Sequence, residues 1–316
     1  MGKNSRGRRA VAEQLGLIDQ HDEATGAGSG TGSRAGGNGG TTPRPRAKSG
    51  SGGRRRGALP SDGAIARTMI GRLFRWAVRL VAFFFLASIA LVVVYRVIDP
   101  PLTPLMLIRP LEGVAGINLV GINKKWISID DVSPALLRSV IAAEDGRFFT
   151  HNGIDWKAVD AAQKRNERSN GKKLYGASTI TMQCARNVFL WQGRNYVRKG
   201  LEIYFTYLME FIWSKRRILE IYINVIEWGD GVYGVEAASQ KYFGISASQL
   251  NAHQAALLAS VLPNPRVWNP ASPTSYISRR AAMIQARAAG VGLGALQKAK
   301  TESDAPAPAR LEKRKR

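Results

Sequence analysis

Polar and small residues dominate the first 60 positions, an uncharged apolar run fills residues 80–95, and from residue 133 apolar side chains return every three or four positions. The run reads LVAFFFLASIALVVVY and lies between Arg79 and Arg96. A membrane-crossing helix needs roughly 20 apolar residues. Trp76, Ala77, Val78, Val97 and Ile98 extend the run to roughly 76–98, within an anchor expected at residues 73–98. A helix apolar on every face suits lipid better than a soluble core. Trp76 and Tyr95 fit the interfacial belt, and Arg79 and Arg96 can extend toward the two interfaces. The Pro100-Pro101 pair predicts the helix end.

Beyond the span the period is helical. Ser133 followed by Pro134 is an N-cap and first-turn signal for PALLRSVIAAED. Residues 166–175 are polar around Gly171 and predict a loop. Helical pattern resumes across residues 196–226 with a break near Ser214, and again over about 247–261, ending before Pro263. Strand signals are weak, so this part is expected to be mainly α. Residues 102–123 are apolar with little period, and two readings stay open for them: a segment resting on the bilayer, or strand and loop.

Charge adds to this picture. The 316 residues carry a formal charge of +23. Residues 1–79 hold 15 Lys/Arg against 5 Asp/Glu, residues 298–316 hold 7 against 3, and residues 80–297 hold 24 against 15. The excess is concentrated at the ends, yet the middle stays basic, which suits an anionic substrate. Residues 1–72, rich in Gly, Ser, Arg and Pro, predict a disordered basic tail. Residues 291–316 predict a second, flexible one. Arg67, Arg72, Arg75 and Arg79 crowd one side of the span, so the N-terminus is expected to be cytoplasmic and the remainder exported. Export and the lack of a folded nucleic-acid motif argue against a nucleic-acid partner. The single cysteine, Cys184, excludes an intramolecular disulfide and a cysteine-based metal cluster.

Four segments carry candidate chemistry. In AAEDGRFFTHNGIDW, Glu144 and Asp145 close a helix ahead of Phe148 and His151. The helix dipole and aromatic neighbours both raise a carboxylate pKa, as a general base requires. A solvated helix end with an Arg147 ion pair is the plainer reading. In YGASTITMQCARNVFLW, Ser178 and Thr179 precede a helix over residues 180–190, and Thr179, Gln183 and Arg186 share one face. Free N–H groups at that helix start would attract an anion. In RNYVRKGLEIYFTYLME, Arg198, Lys199 and Glu202 fall within one turn. They are either a surface ion pair or a cationic patch on an unusually apolar helix. SKRRILEIYINVIEWGDGVYGVEAASQKYFG reads mostly as scaffold, with Leu219, Tyr222, Ile223 and Ile226 as a core stripe.

Together these segments resemble the family 51 glycosyltransferases, the transglycosylase domain of penicillin-binding proteins, in its monofunctional form. E-D-x-x-F-[FY]-x-H-x-G, G-[GA]-S-T-I-T-x-Q, R-K-x-x-E and K-x-x-I-L-E-x-Y-x-N occur in family order across roughly residues 100–275. The resemblance implies a lysozyme-like glycosyltransferase domain at residues 99–290 behind one N-terminal transmembrane helix. It implies a peptidoglycan glycosyltransferase of cell wall biogenesis and cell shape, acting on lipid II and the growing glycan strand at the cell inner membrane. Glu144 then matches the general base and Glu202 the second glutamate. Asp145, Phe148, His151, Ser178, Thr179, Gln183, Arg186, Arg198 and Lys199 match substrate-binding positions.

Three positions depart from the family. Arg186 replaces a usual Lys, Met182 a frequent Gln, and Gly146 a larger polar residue. A divalent cation, Mg2+ or Mn2+, is implied on the pyrophosphate, without a ligand cluster in the sequence to hold it and without an organic cofactor. Proteins of the wall-synthesis or division machinery are the implied partners. A lytic hydrolase would share the carboxylate but has no need of R-K-x-x-E. The sequence S-N-G-K at residues 169–172 matches the acyl-enzyme S-x-x-K, yet no K-T-G follows and about 45 residues after the last motif are too few for a transpeptidase domain.

Overall fold

A computed structural model describes residues 62–108, 121–169, 175–193 and 195–297. The expected tail through residue 61, residues 109–120 of the apolar stretch, the S-x-x-K segment from residue 170 and the end beyond residue 297 lie outside them. The described residues fall into two units, one ending at Ser88 and one beginning at Ile89.

The first unit is most of helix α1, Asp62–Tyr95. Its apolar part, Ile70–Tyr95, spans 26 residues at a mean hydropathy of 2.6. At 1.5 Å per residue that is about 39 Å, enough to cross a hydrocarbon layer of about 30 Å. Leu73, Phe74, Trp76, Leu80, Phe83 and Leu86 are exposed around the helix, as a lipid-facing surface requires. Arg79 folds its guanidinium over the Trp76 ring, 5.5 Å from the centroid. The helix starts earlier than residue 73, because residues 62–72 contain no proline and the helix runs through Gly71. It also ends at Tyr95, before the proline pair: the following turn hands its carbonyls to Arg217, which takes Tyr95 O at 3.0 Å and Ile98 O at 2.9 Å.

The second unit is helical with one small sheet. Its elements are β1 (Asn123–Lys124), α2 (Pro134–Glu144), α3 (Trp156–Arg168), α4 (Ile180–Phe189), α5 (Tyr196–Ile212), α6 (Lys215–Val225), β2 (Glu227–Gly229), β3 (Val232–Tyr233), α7 (Val235–Phe243), α8 (Ala252–Val261) and α9 (Ser275–Ala288). Strand order is β1-β3-β2, with β1 parallel and β2 antiparallel to β3. Local signals set the boundaries. Ser133 caps α2 through Ala135 N, with Pro134 behind it. Ser214 breaks the predicted long helix by capping α6 through Arg217 N. Asn251 and Gln254 form a capping box at α8, so the helix there starts at residue 252, after a 3-10 turn over Ala247–Gln249.

Two helical groups make the core. In the first, α4 packs between α5 and α6; in the second, α2, α8 and α9 pack on one another. The stripe on α6 is buried as predicted, with Ile218, Leu219, Ile221, Tyr222, Ile223 and Val225 inside. Phe189 of α4 stacks on Phe205 of α5 at 4.5 Å. Residues 291–297 are not a free tail: Leu296 is buried, and Val291 and Leu293 pack on the core. Spacing of two and three between these apolar residues lets a short turn bring all three against the core.

Candidate active site

Glu144 is the last residue of α2, and Asp145 is its C-cap. The two neighbouring acids have different surroundings. Glu144 Oε2 accepts from Gln183 Nε2 at 2.9 Å. Gln183 Oε1 in turn accepts from the Tyr222 hydroxyl at 3.0 Å. A carboxylate only accepts, so the Gln183 amide must turn its nitrogen to Glu144 and its oxygen to the phenol. Burial pushes the Glu144 pKa up; the Gln183 bond, Arg280 and Arg186 oppose that, and Asp145 adds to it. Burial also pushes the Tyr222 phenol well up, with the Glu144 charge next in effect, so Tyr222 remains a donor.

Arg186 lies one turn beyond Gln183. Its charge acts on Glu144 on one side and on Lys199 on the other. Lys199 and Arg198, at the start of α5, are both buried against Glu202: Arg198 Nη1 donates to Oε2 at 2.6 Å and Lys199 Nζ to Oε1 at 2.7 Å. Two cations and one anion leave this cluster net positive. Burial pulls the Lys199 pKa down, while Glu202 holds it up. The Nε of Arg198 is buried without a hydrogen-bond partner. Gln183, Arg186, Asn187 and Tyr222 line a cleft of about 220 Å3 that Glu227, Leu262 and Pro263 complete. A larger hollow, about 420 Å3, is lined by Arg147, His151, Asp155, Trp156 and Tyr207. Neither lining includes Glu144 or the Arg198–Lys199–Glu202 cluster; the smaller cleft reaches them through Gln183 and Arg186.

A carboxylate held by an amide–phenol pair, one residue away from a net-positive cluster through a shared arginine, is suited to removing a proton beside an anionic leaving group. A family model described as transglycosylase matches residues 114–289. The chain belongs to the transglycosylase family. It is 50% identical to the biosynthetic peptidoglycan transglycosylase of Rhodospirillum centenum over 222 residues, 70% of this chain and 93% of that protein. Against the protein of the same name from Bdellovibrio bacteriovorus it is 52% identical over 217 residues, 69% of this chain and 86% of the relative. The one from Shewanella oneidensis is 44% identical over 229 residues, 72% and 97% of the two chains.

The other family positions are supports. Asp145 is buried and accepts from His151 Nε2 at 3.0 Å and from Ile180 N at 3.1 Å. The start of α4, expected to draw a substrate anion, therefore already has one: the Asp145 carboxylate satisfies the helix start that Thr179 also caps through Met182 N. The Thr179 hydroxyl donates to Gly153 O. Thr179 is buried, so it does not share an open face with Gln183 and Arg186. Phe148 is fully buried and carries the Lys215 ammonium over its ring at 4.6 Å. Ser178 is exposed just before α4.

The departures from the family are accommodated. Met182 is buried among Ile154 and Val159, where a polar side chain would have no contact with the cleft. Gly146 is exposed, with open space around its absent side chain. Cys184 is buried, and burial pushes its thiol pKa up, as an unreactive core cysteine requires.

Among the described residues, Asp145, His151 and Asp155 are the carboxylate–imidazole group close enough to hold a metal. It does not fit one: Asp145 is engaged as above, and Asp155 is engaged by Arg147 and by Ala158 N at 2.8 Å. Tyr222 and Arg280, which face Gln183 and Glu144, were not among the candidate site residues read from the sequence. A tyrosine in a core stripe signals a partner for its hydroxyl; nothing local marks Arg280.

Proposed function

We propose that this chain is a peptidoglycan glycosyltransferase that polymerises lipid II, with Glu144 as general base. The observation that carries this is the Glu144 carboxylate, half-buried at the end of α2, gripped through one oxygen by Gln183, and linked by Arg186 to the Arg198–Lys199–Glu202 cluster. Glu144 takes the proton from the 4-hydroxyl of the acceptor sugar. That oxygen bonds to the anomeric carbon of the donor as the bond to the polyprenyl pyrophosphate breaks, with inversion. Arg186, Arg198 and Lys199 offset the charge that collects on the departing pyrophosphate, and Glu202 orients the two cations on α5. Ser178, exposed at the head of α4, supports a contact with the sugar pyrophosphate.

The span at the N-terminus supports a single-pass anchor in the cytoplasmic membrane, N-terminus inside, with the catalytic part exported where lipid II is presented. Wall-synthesis and division proteins are the fitting partners there. A divalent cation, Mg2+ or Mn2+, would be held by the substrate pyrophosphate and would supply charge neutralisation.

The test uses the full chain in detergent with labelled lipid II. Glu144→Gln is expected to lower polymerisation about 100- to 10,000-fold while lipid II binding, followed by fluorescence, is retained. Near-normal turnover of Glu144→Gln would overturn the assignment, and release of muropeptides from finished glycan would point to a hydrolase instead.

A further inference from the structure

We propose that Arg280, on α9, is a positioning residue that keeps Glu144 ionised and leaves Oε1 as the oxygen that takes the proton. The inference rests on the reading of Glu144 as the general base and adds a residue from outside the four recognised segments.

The two oxygens of Glu144 are not equivalent. Oε2 is committed to Gln183 at 2.9 Å. Oε1 faces Arg280 Nη2 at 3.9 Å. That distance is too long for a hydrogen bond, so Oε1 keeps its lone pairs for an incoming hydroxyl. It is short enough for the guanidinium charge to favour the carboxylate over the acid. A direct hydrogen bond would have weakened the base by occupying it; a cation held just out of reach favours ionisation without competing for the oxygen.

The guanidinium is fixed in that place. Its Nε donates to the carbonyl of Ser260 at 3.1 Å, and Ser260 is buried in α8. Helices α8 and α9 pack on each other and on α2, which ends in Glu144. Three helices therefore set the spacing between the arginine and the carboxylate.

The titratable and charged groups around Glu144 come from several elements: Asp145 beside it in the chain, Arg186 from α4, Tyr222 from α6 and Arg280 from α9, with the Gln183 amide from α4. Asp145 disfavours ionisation and Tyr222 stays neutral. Arg186 is shared with the cluster around Lys199. Among the described residues Arg280 has no such second charge partner, which makes it the cation dedicated to the base.

The experiment measures kcat/KM for lipid II polymerisation by the full chain over roughly pH 5 to 9, the range in which a carboxylate tuned for general-base work titrates. Removing the charge in Arg280→Gln raises the Glu144 pKa further, so its acid limb is expected to move up by about one pH unit. The rate should fall about tenfold below the limb and recover on the alkaline plateau. Arg280→Lys retains the charge and should leave the limb near its original position. Because Arg280 is partly exposed, both variants are expected to fold, which thermal melting checks; if Arg280→Gln does not fold, an acid limb that moves up by a full unit in Arg280→Lys would overturn the proposal and an unmoved one would support it. A uniform loss at every pH with an unmoved limb in Arg280→Gln would mean an ordinary structural or substrate-binding role. Glu144→Gln separates the two levels: if it stays active, the base assignment itself fails, whereas a dead Glu144→Gln beside an unmoved limb in Arg280→Gln sinks only the inference.

Discussion

Glu144 is subject to burial, hydrogen bonding and charge at once, and its pKa is the resultant. Burial dominates and lifts it, so the acid limb of activity belongs above the ordinary glutamate value of about 4.3. The sign follows from the proposed role: a general base works ionised, so activity is expected to be lost as pH falls through the raised pKa. Gln183 opposes the lift by donating to Oε2, and Tyr222 keeps Gln183 turned the right way. Gln183→Leu is therefore expected to move the limb upward, with a loss of about tenfold near neutral pH, read from a pH–rate profile. Tyr222→Phe keeps the packing and removes only the donor to the Gln183 carbonyl, so its effect should be the smaller of the two. Arg186 in place of lysine keeps the charge that both Glu144 and Lys199 feel, which is the property that this position contributes here.

At the scale of elements, the family motifs are mostly joints between helices. Asp145 couples the end of α2 to the start of α4, and His151 backs the same carboxylate. Gly153 couples the loop to α5. Its φ is +88°, and a β-carbon there would come within 2.6 Å of the Thr206 side chain. Its carbonyl also receives the Thr179 hydroxyl. Gly153→Ala is expected to destabilise by about 2–4 kcal/mol, from the left-handed backbone and the close approach together, visible as a lower melting temperature. Activity should fall along with stability, because the same joint sets the register of α4 and hence of Gln183 and Arg186. Glu202 works the other way: it is the anion that permits two cations to be buried on α5, and breaking such a group leaves uncompensated charge inside.

Across the molecule, the second unit grips the chain as it leaves the apolar helix. Trp213 Nε1 donates to Val92 O at 2.7 Å. Arg217 takes Tyr95 O and Ile98 O and pairs with Asp99 at 2.9 Å. Lys124 donates to Pro101 O at 2.7 Å. Arg217→Ala removes several of these at once and is expected to cost about 2 kcal/mol, since the pairs are partly shielded from water. Limited proteolysis should then cut faster at residues 96–101, while Glu144 and its partners remain in place.

What the sequence determined by itself is what depends on local pattern. An apolar run of membrane length, a cap at Ser133, a break near Ser214, helical period and four motifs in order were all readable, and they carried the family and the identities of Glu144, Gln183, Arg186, Arg198, Lys199 and Glu202. Only the tertiary structure decided which of the motif residues face the cleft and which hold it together. Asp145 matched a substrate-binding position by resemblance, and Thr179 shared a helix face with Gln183 and Arg186 by spacing, yet long-range packing turned them onto Ile180 and Gly153. Tyr222 looked like core, and it is core along its ring, while its hydroxyl holds the Gln183 amide. Arg280 lies more than a hundred residues from Glu144 in the chain, and no spacing rule reaches that far; its place beside the carboxylate exists only because α2, α8 and α9 pack together.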